Sequence, residues 1–237
     1  CPWDREQTHD SLKKYLIEET YEAVDAIDSG KDDEIIEELG DVLYQVYAHA
    51  EIAEEEGRFT IDDVADRIAK KLVFRHPHVF SDETVADSDE VLVKWEKLKK
   101  KEKDPSRSIL EGVPKHLPAL LKAYRVQEKT ARVGFDFTRT DEAVAKIDEE
   151  VSELKEVING NDKEKMFDEF GDILFSLVNV ARFLKIDPEG ALQHSVKKFT
   201  DRFKMIETMI HSNGRDFPDY SLKQLDEFWE EAKAKTK

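Results

Sequence analysis

Two short acidic stretches stand where a helix should bury apolar residues: Glu18-Glu19-Thr20-Tyr21-Glu22 and Glu149-Glu150-Val151-Ser152-Glu153. A helix advances roughly 100° per residue. With Glu150 at zero, Ala143, Ile147, Leu154 and Val157 fall within about 60° of it, and Glu153 lies about 60° to the other side. Glu150 thus sits inside the apolar stripe. Glu19 falls in the same way among Leu12, Leu16, Ala23 and Ala26. The leading acids, Glu18 and Glu149, point away and read as surface residues. In the following helices, Glu38 and Asp41 border a stripe of Ile35, Leu39, Val42 and Val46, and Glu169 and Asp172 lie beside Met166, Phe170 and Ile173.

Each helix pair therefore carries four core-facing carboxylates in the pattern E-x-x-E … E-x-x-D. An antiparallel hairpin turning near Asn159-Gly160 would gather the second set. Buried like charges repel and resist desolvation, so the arrangement demands protonation or a bound cation. Two pairs of oxygen ligands suit a hard cation, Mg²⁺ or Mn²⁺, with open positions left for water or phosphate. A single E-x-x-E would read as surface. Two copies on paired helices, each inside an apolar stripe, point to metal ligands: Glu150, Glu153, Glu169 and Asp172, and in the first half Glu19, Glu22, Glu38 and Asp41. A di-iron bundle uses similar helices but needs Glu-x-x-His, and no His follows these acids at that spacing. Gly40 and Gly171 precede the aspartates. Each admits either close helix packing or close approach of a ligand.

The elements that must position these acids are helices. Among 237 residues there are 9 Gly and 7 Pro, apolar positions recur at three- and four-residue spacing, and no segment alternates with period 2, so the fold class is all-α. The chain is a tandem repeat. An offset of 131 relates Glu19 to Glu150, Glu22 to Glu153, Glu38 to Glu169 and Asp41 to Asp172 without a gap, and Trp3-Asp4 matches Phe135-Asp136 at an offset of 132. The charged run 97–103 into Asp104-Pro105-Ser106 is the boundary candidate, giving domains 1–104 and 105–237, each a small helical bundle.

Composition removes several classes. A net charge of −17 argues against a nucleic acid polymer as partner. The longest apolar run, 173–181, is broken by Ser176 and Asn179 and too short to span a membrane. One cysteine, Cys1, rules out an internal disulfide framework and fits a reducing, cytoplasmic setting. The chain opens on Cys1 rather than Met, so it can begin inside a longer protein. His76 and His78 lack further zinc ligands, and a helix stop before Pro77 explains their segment.

A divalent cation with open positions most often serves phosphate chemistry. Phosphate charge calls for basic partners. Lys146 lies four residues before Glu150 and Lys165 four before Glu169, and Lys198 and Arg202 form an i, i+4 pair on a later helix. In the first half, Tyr15 stands at the Lys146 position and Glu34 at the Lys165 position; only Arg67 and Lys71 match Lys198 and Arg202. The second half is the better equipped to hold a triphosphate. An acidic helical module that docks a partner without turnover is the competing reading.

The runs EETYE…EELGD and EEVSE…DEFGD, with CPWDREQT, RHPHVF, GVPKHLPALLKA and VGFDF, resemble the tandem MazG family across nearly the whole chain. The resemblance implies an all-α homodimer that hydrolyses nucleoside triphosphates to monophosphate and diphosphate with Mg²⁺ and is broad in nucleotide; a narrower (deoxy)pyrimidine nucleotide substrate on the same fold is the alternative. It implies catalysis in the second half, with Glu150, Glu153, Glu169 and Asp172 on the metal and Lys146, Lys165, Lys198, Arg202 and Trp229 on the nucleotide. Trp95 sits similarly in the last helix of the first half, and helix packing accounts for either Trp equally well.

Overall fold

Several helices begin at a short capping side chain. Thr8 and Ser11 close a reciprocal capping box at the start of α1 (His9–Ser29), and Gly30 ends it with φ 70°, a left-handed conformation natural to glycine. Thr60 and Asp63 do the same for α3 (Ile61–Arg75), as do Ser221 and Gln224 for α9 (Leu222–Lys235). In this computed structural model, residues 1–88, 90–91, 94–95, 98, 108–160, 162–212 and 214–236 are described, and every regular element among them is helical. The boundary candidate at 97–103 and Asp104-Pro105-Ser106 lies, Leu98 excepted, outside the described residues, as does Asn213, which with Gly214 reads from the sequence as a helix break.

The chain divides into two compact units, Cys1–Pro105 and Ser106–Lys237. In the first, α1 packs on α2 (Asp32–Glu55), α2 on α3, and α3 on the short α4 (Pro77–Phe80). The α1–α2 seam is small-sided: Leu12, Ala23, Ala26, Ala50 and Ala53 are its buried apolar residues. Small side chains bring the two backbones close, so polar residues on the inner faces must meet. At one end His9 and His49 do, with Nδ1 atoms 2.8 Å apart and rings stacked at 5.1 Å, while Arg58 from the α2–α3 turn donates to His9 Nε2.

The second unit repeats the hairpin as α6 (Thr140–Val157) on α7 (Lys163–Phe183) and adds α5 (Ala119–Ala131), which packs on α7 and on α8 (Pro188–Ser212). Gln127 fixes that contact by donating Nε2–H to the Phe175 carbonyl at 2.8 Å. The segment before α6 is tied to α7 by the ion pair of Asp136 with Arg182, both largely buried. Helices α8 and α9 close a third hairpin on Ile206, Ile210 and Ala232, with Phe217, Tyr220, Phe228 and Trp229 packed around them.

Candidate active site

The α6–α7 hairpin brings one carboxylate oxygen each from Glu150, Glu169 and Asp172 within 4.8 Å of one another. Glu150 is 5% exposed, on the same helix face as the buried Ala143 two turns earlier, which is where the apolar stripe puts it. Glu169 is half-buried and Asp172 exposed, so the cluster runs from the seam outward to solvent. Glu153 stands outside the trio but at its edge. Burial, then the charges of Glu150 and Glu169, push its carboxyl above the ordinary range.

Lys146 makes the one ion pair to a carboxylate of this trio among the described residues. Its Nζ lies 2.7 Å from Glu150 Oε1 and 2.8 Å from Glu149 Oε1. Those contacts, Glu149 first, raise the lysine above its usual value and keep it charged. Among the described residues, the other expected cations make no ion pair with the trio. Lys165 sits in the first turn of α7, largely exposed, 3.8 Å from Asp162. Lys198 is exposed on α8. Arg202 donates Nε–H to Thr236 Oγ1 at 3.0 Å and lies 5.8 Å above the Trp229 ring. Trp229 itself packs against Phe199, ring centroids 5.1 Å apart. The contacts of Arg202 and Trp229 thus belong to the α8–α9 hairpin rather than to the acids.

In the first unit Glu19, Glu38 and Asp41 form a matching trio within 4.8 Å. Its surroundings differ. Burial, then Asp41 and Glu22, raise the Glu19 carboxyl; burial, then Glu22 and Asp41, raise Glu38. No cation is among these causes. Tyr15, at the Lys146 position, meets Trp3 edge-on at 5.9 Å. Glu34, at the Lys165 position, is held at the hairpin turn by Lys31 Nζ at 2.6 Å and Ser29 Oγ at 2.8 Å. Arg67 and Lys71 lie exposed on α3. In the last part of the unit the Trp95 ring is 5.9 Å from His76, which is 5.6 Å from His78, an aromatic packing role for all three.

A Cβ added at Gly40 or at Gly171 would meet nothing within 4 Å. Close helix packing within the protomer therefore does not account for either glycine, and both leave open space beside an aspartate. The donor set fits a hard divalent cation: oxygen ligands only, three of them mutually within 4.8 Å, with the carboxyls of Glu19 and Glu153 pushed upward by burial and then by the like charges around them. Sequence reasoning set Glu149 aside as a surface residue, and it is exposed, but its i, i+3 spacing from Lys146 marks it as a helical neighbour of that lysine. It also passed over the His9–His49–Arg58 chain, whose members are 40 and 49 residues apart and share no helical period.

Residues 7–80 and 139–206 match the MazG nucleotide pyrophosphohydrolase domain. The chain is 47% identical over 234 residues to a nucleoside triphosphate pyrophosphohydrolase/pyrophosphatase MazG of Thermotoga maritima, spanning 98% of this chain and 89% of that protein. It is 40% identical to a nucleoside triphosphate pyrophosphohydrolase of Escherichia coli, over 98% of this chain and 90% of that one. It is 52% identical to the uncharacterized protein YabN of Bacillus subtilis, of which it spans 48%.

Proposed function

The chain belongs to the MazG nucleotide pyrophosphohydrolase family, and from that premise we propose that it hydrolyses nucleoside triphosphates to the monophosphate and diphosphate, broadly in nucleotide and with Mg²⁺, at the second-unit cluster. Family membership decides against the docking-module reading. The observation that carries the choice of unit is the ammonium of Lys146 on the buried Glu150, against Tyr15 in the first unit.

Glu150, Glu153, Glu169 and Asp172 would hold Mg²⁺, with Mn²⁺ as a substitute, and Glu19, Glu22, Glu38 and Asp41 a second ion. Bound there, the cation supplies Lewis-acid neutralisation of phosphate charge. Lys146 holds a phosphate oxygen from the α6 side. Lys165, Lys198 and Arg202 turn toward the polyphosphate, and Trp229 toward the base, when nucleotide arrives. A cluster carboxylate takes a proton from the attacking water. The new bond forms from that water oxygen to the α-phosphorus, the bond from the α-phosphorus to the bridging oxygen breaks, and diphosphate leaves with its electron pair. Chromatography of an ATP digest tests this: AMP and diphosphate appear together, and ADP as first product would refute it.

The protein is proposed to be a homodimer. The same register is apolar and exposed in both repeats: Ile36 and Phe167, Leu39 and Phe170, Leu43 and Leu174, Val46 and Leu177. Spacing of three and four residues makes this one stripe on α2 and one on α7, continuous enough to need covering by a second copy. No helix among the described residues is long and apolar enough to cross a membrane, and a cytoplasmic setting completes the reading.

A further inference from the structure

We infer that Glu149 is a positioning residue for metal loading: it takes the Lys146 ammonium away from Glu150 when a divalent cation enters the second-unit cluster. The inference rests on the metal reading above. Lys146 Nζ already lies between the two carboxylates, 2.8 Å from Glu149 Oε1 and 2.7 Å from Glu150 Oε1. Passing from shared to single partnership requires only rotation within a flexible side chain. The two acceptors differ in surroundings. The Glu150 side chain is 6% exposed and belongs to the trio with Glu169 and Asp172, whereas that of Glu149 is 56% exposed and stands outside it.

In the empty site the ammonium is the counter-ion of a buried carboxylate that would otherwise be costly. A divalent cation on the trio would share Glu150 with a like charge at close range, which opposes binding. The ammonium must therefore leave Glu150, and Glu149 is the acceptor one helical step away. Held there, it stays at the rim of the cluster, where a phosphate oxygen would next meet it. The first unit lacks the device. Tyr15 replaces the lysine, Glu18 is exposed, and among the described residues no ion pair joins a lysine to Glu18 or Glu19.

The test is calorimetric titration of Mn²⁺ at pH 8 into the full chain carrying Glu38→Gln and Asp41→Asn, so that heats come from the second cluster. Lys146→Met is expected to tighten Mn²⁺ about tenfold, because the competing ammonium is gone. Glu149→Gln is expected to weaken Mn²⁺ about threefold with lysine present and to change nothing in the Lys146→Met background, since it acts through the lysine. Glu149→Asp should restore most of the affinity, and Lys204→Met, which removes an exposed lysine of α8 with no part in the site, should leave it unchanged. An equal effect of Glu149→Gln in both backgrounds, or no gain from Lys146→Met, would overturn the exchange while leaving the metal site. Absence of any Mn²⁺ heat in the parent would sink the metal reading and the exchange with it.

Discussion

Glu169→Gln and Glu38→Gln make a matched pair. Both glutamates occupy the same register of the repeat, both are half-buried, and neither touches a lysine. Each substitution keeps size and hydrogen-bonding capacity and removes one charge from a trio whose oxygens lie within 4.8 Å. A charge-assisted contact contributes on the order of 1.5–3 kcal/mol, so loss of one metal ligand should weaken metal binding roughly tenfold to two-hundredfold. In the second unit that loss falls on the reaction itself: at low Mg²⁺, kcat/KM drops by about the same factor and recovers in part as Mg²⁺ is raised. In the first unit Tyr15 stands at the Lys146 position and Glu34, already engaged with Lys31 and Ser29, at the Lys165 position, so two of the four cation positions carry no cation there. Glu38→Gln should change kcat/KM by less than about twofold, since no contact to the reacting group is removed. The assay is steady-state diphosphate release across a Mg²⁺ series, with thermal melting of each variant to confirm folding. Equal losses would mean that both trios turn over substrate, and the argument from the missing ammonium would fail.

Three further outcomes follow from the electrostatics. Glu19→Gln should raise the metal-free melting temperature: the folded carboxyl is raised above its unfolded value, so its charged form is a penalty above the ordinary carboxylate pKa, relieved as pH falls, and the gain should shrink toward pH 4.5. Glu150→Gln should show no such gain, because it removes the inner partner of Lys146; a rise equal to that of Glu19→Gln would contradict the ion pair. The first unit should loosen on acidification. Arg58 is an obligate donor, so His9 Nε2 accepts and His9 Nδ1–H donates to His49 Nδ1, a chain that needs both rings neutral. Burial, then the charge of His9, lowers His49, so its contribution is complete above about pH 6.5 and is lost below it. Amide protection factors across the α2–α3 turn should fall as pH is lowered from 7.5 to 5.5, and His49→Gln should flatten that dependence; an unchanged slope would dismiss the relay.

What the sequence made legible was whatever helical geometry alone decides. The position of Glu150 in its stripe follows from 100° steps, and the structure buries it to 5%. Lys165 was not legible in this way. It shares a face with Glu169, yet it lies in the first turn of α7, where Asp162 caps the helix and offers a nearer carboxylate. Helical period places a Cα, while a long flexible side chain goes to the nearest charge. Gly40 and Gly171 failed for a related reason: sequence cannot tell a glycine that admits a neighbour from one that faces open space. The His9–His49 contact depends on the register between α1 and α2, which small residues at Ala23, Ala26, Ala50 and Ala53 set jointly.

The two repeats therefore permit a transplant that separates acid geometry from charge balance. Tyr15→Lys places an ammonium three residues before Glu18 and four before Glu19, the spacing by which Lys146 reaches Glu149 and Glu150. The local helix is the same, so the new lysine should span both carboxylates. Glu19 would gain a cation where the present causes of its raised carboxyl are burial and like charge, and that carboxyl should fall toward or below the ordinary range. The cost is the edge-on contact with Trp3, an aromatic pair worth about 0.5–1.5 kcal/mol beyond its buried area. The two effects oppose, so the net change in melting temperature at pH 8 should be small. Well below the ordinary carboxylate range, near pH 3, the variant should be the less stable one, because Glu19 is protonated there and no longer repays the lost packing. Mn²⁺ should bind the first trio more weakly than in the parent, as an ammonium now competes for Glu19. Diphosphate release in a chain whose second trio carries Glu169→Gln should not recover, since Glu34 still stands where Lys165 does and remains tied to the hairpin turn. Recovery of turnover by Tyr15→Lys alone would show that one lysine suffices, and would place the difference between the repeats in residue 15 rather than in the set of cations.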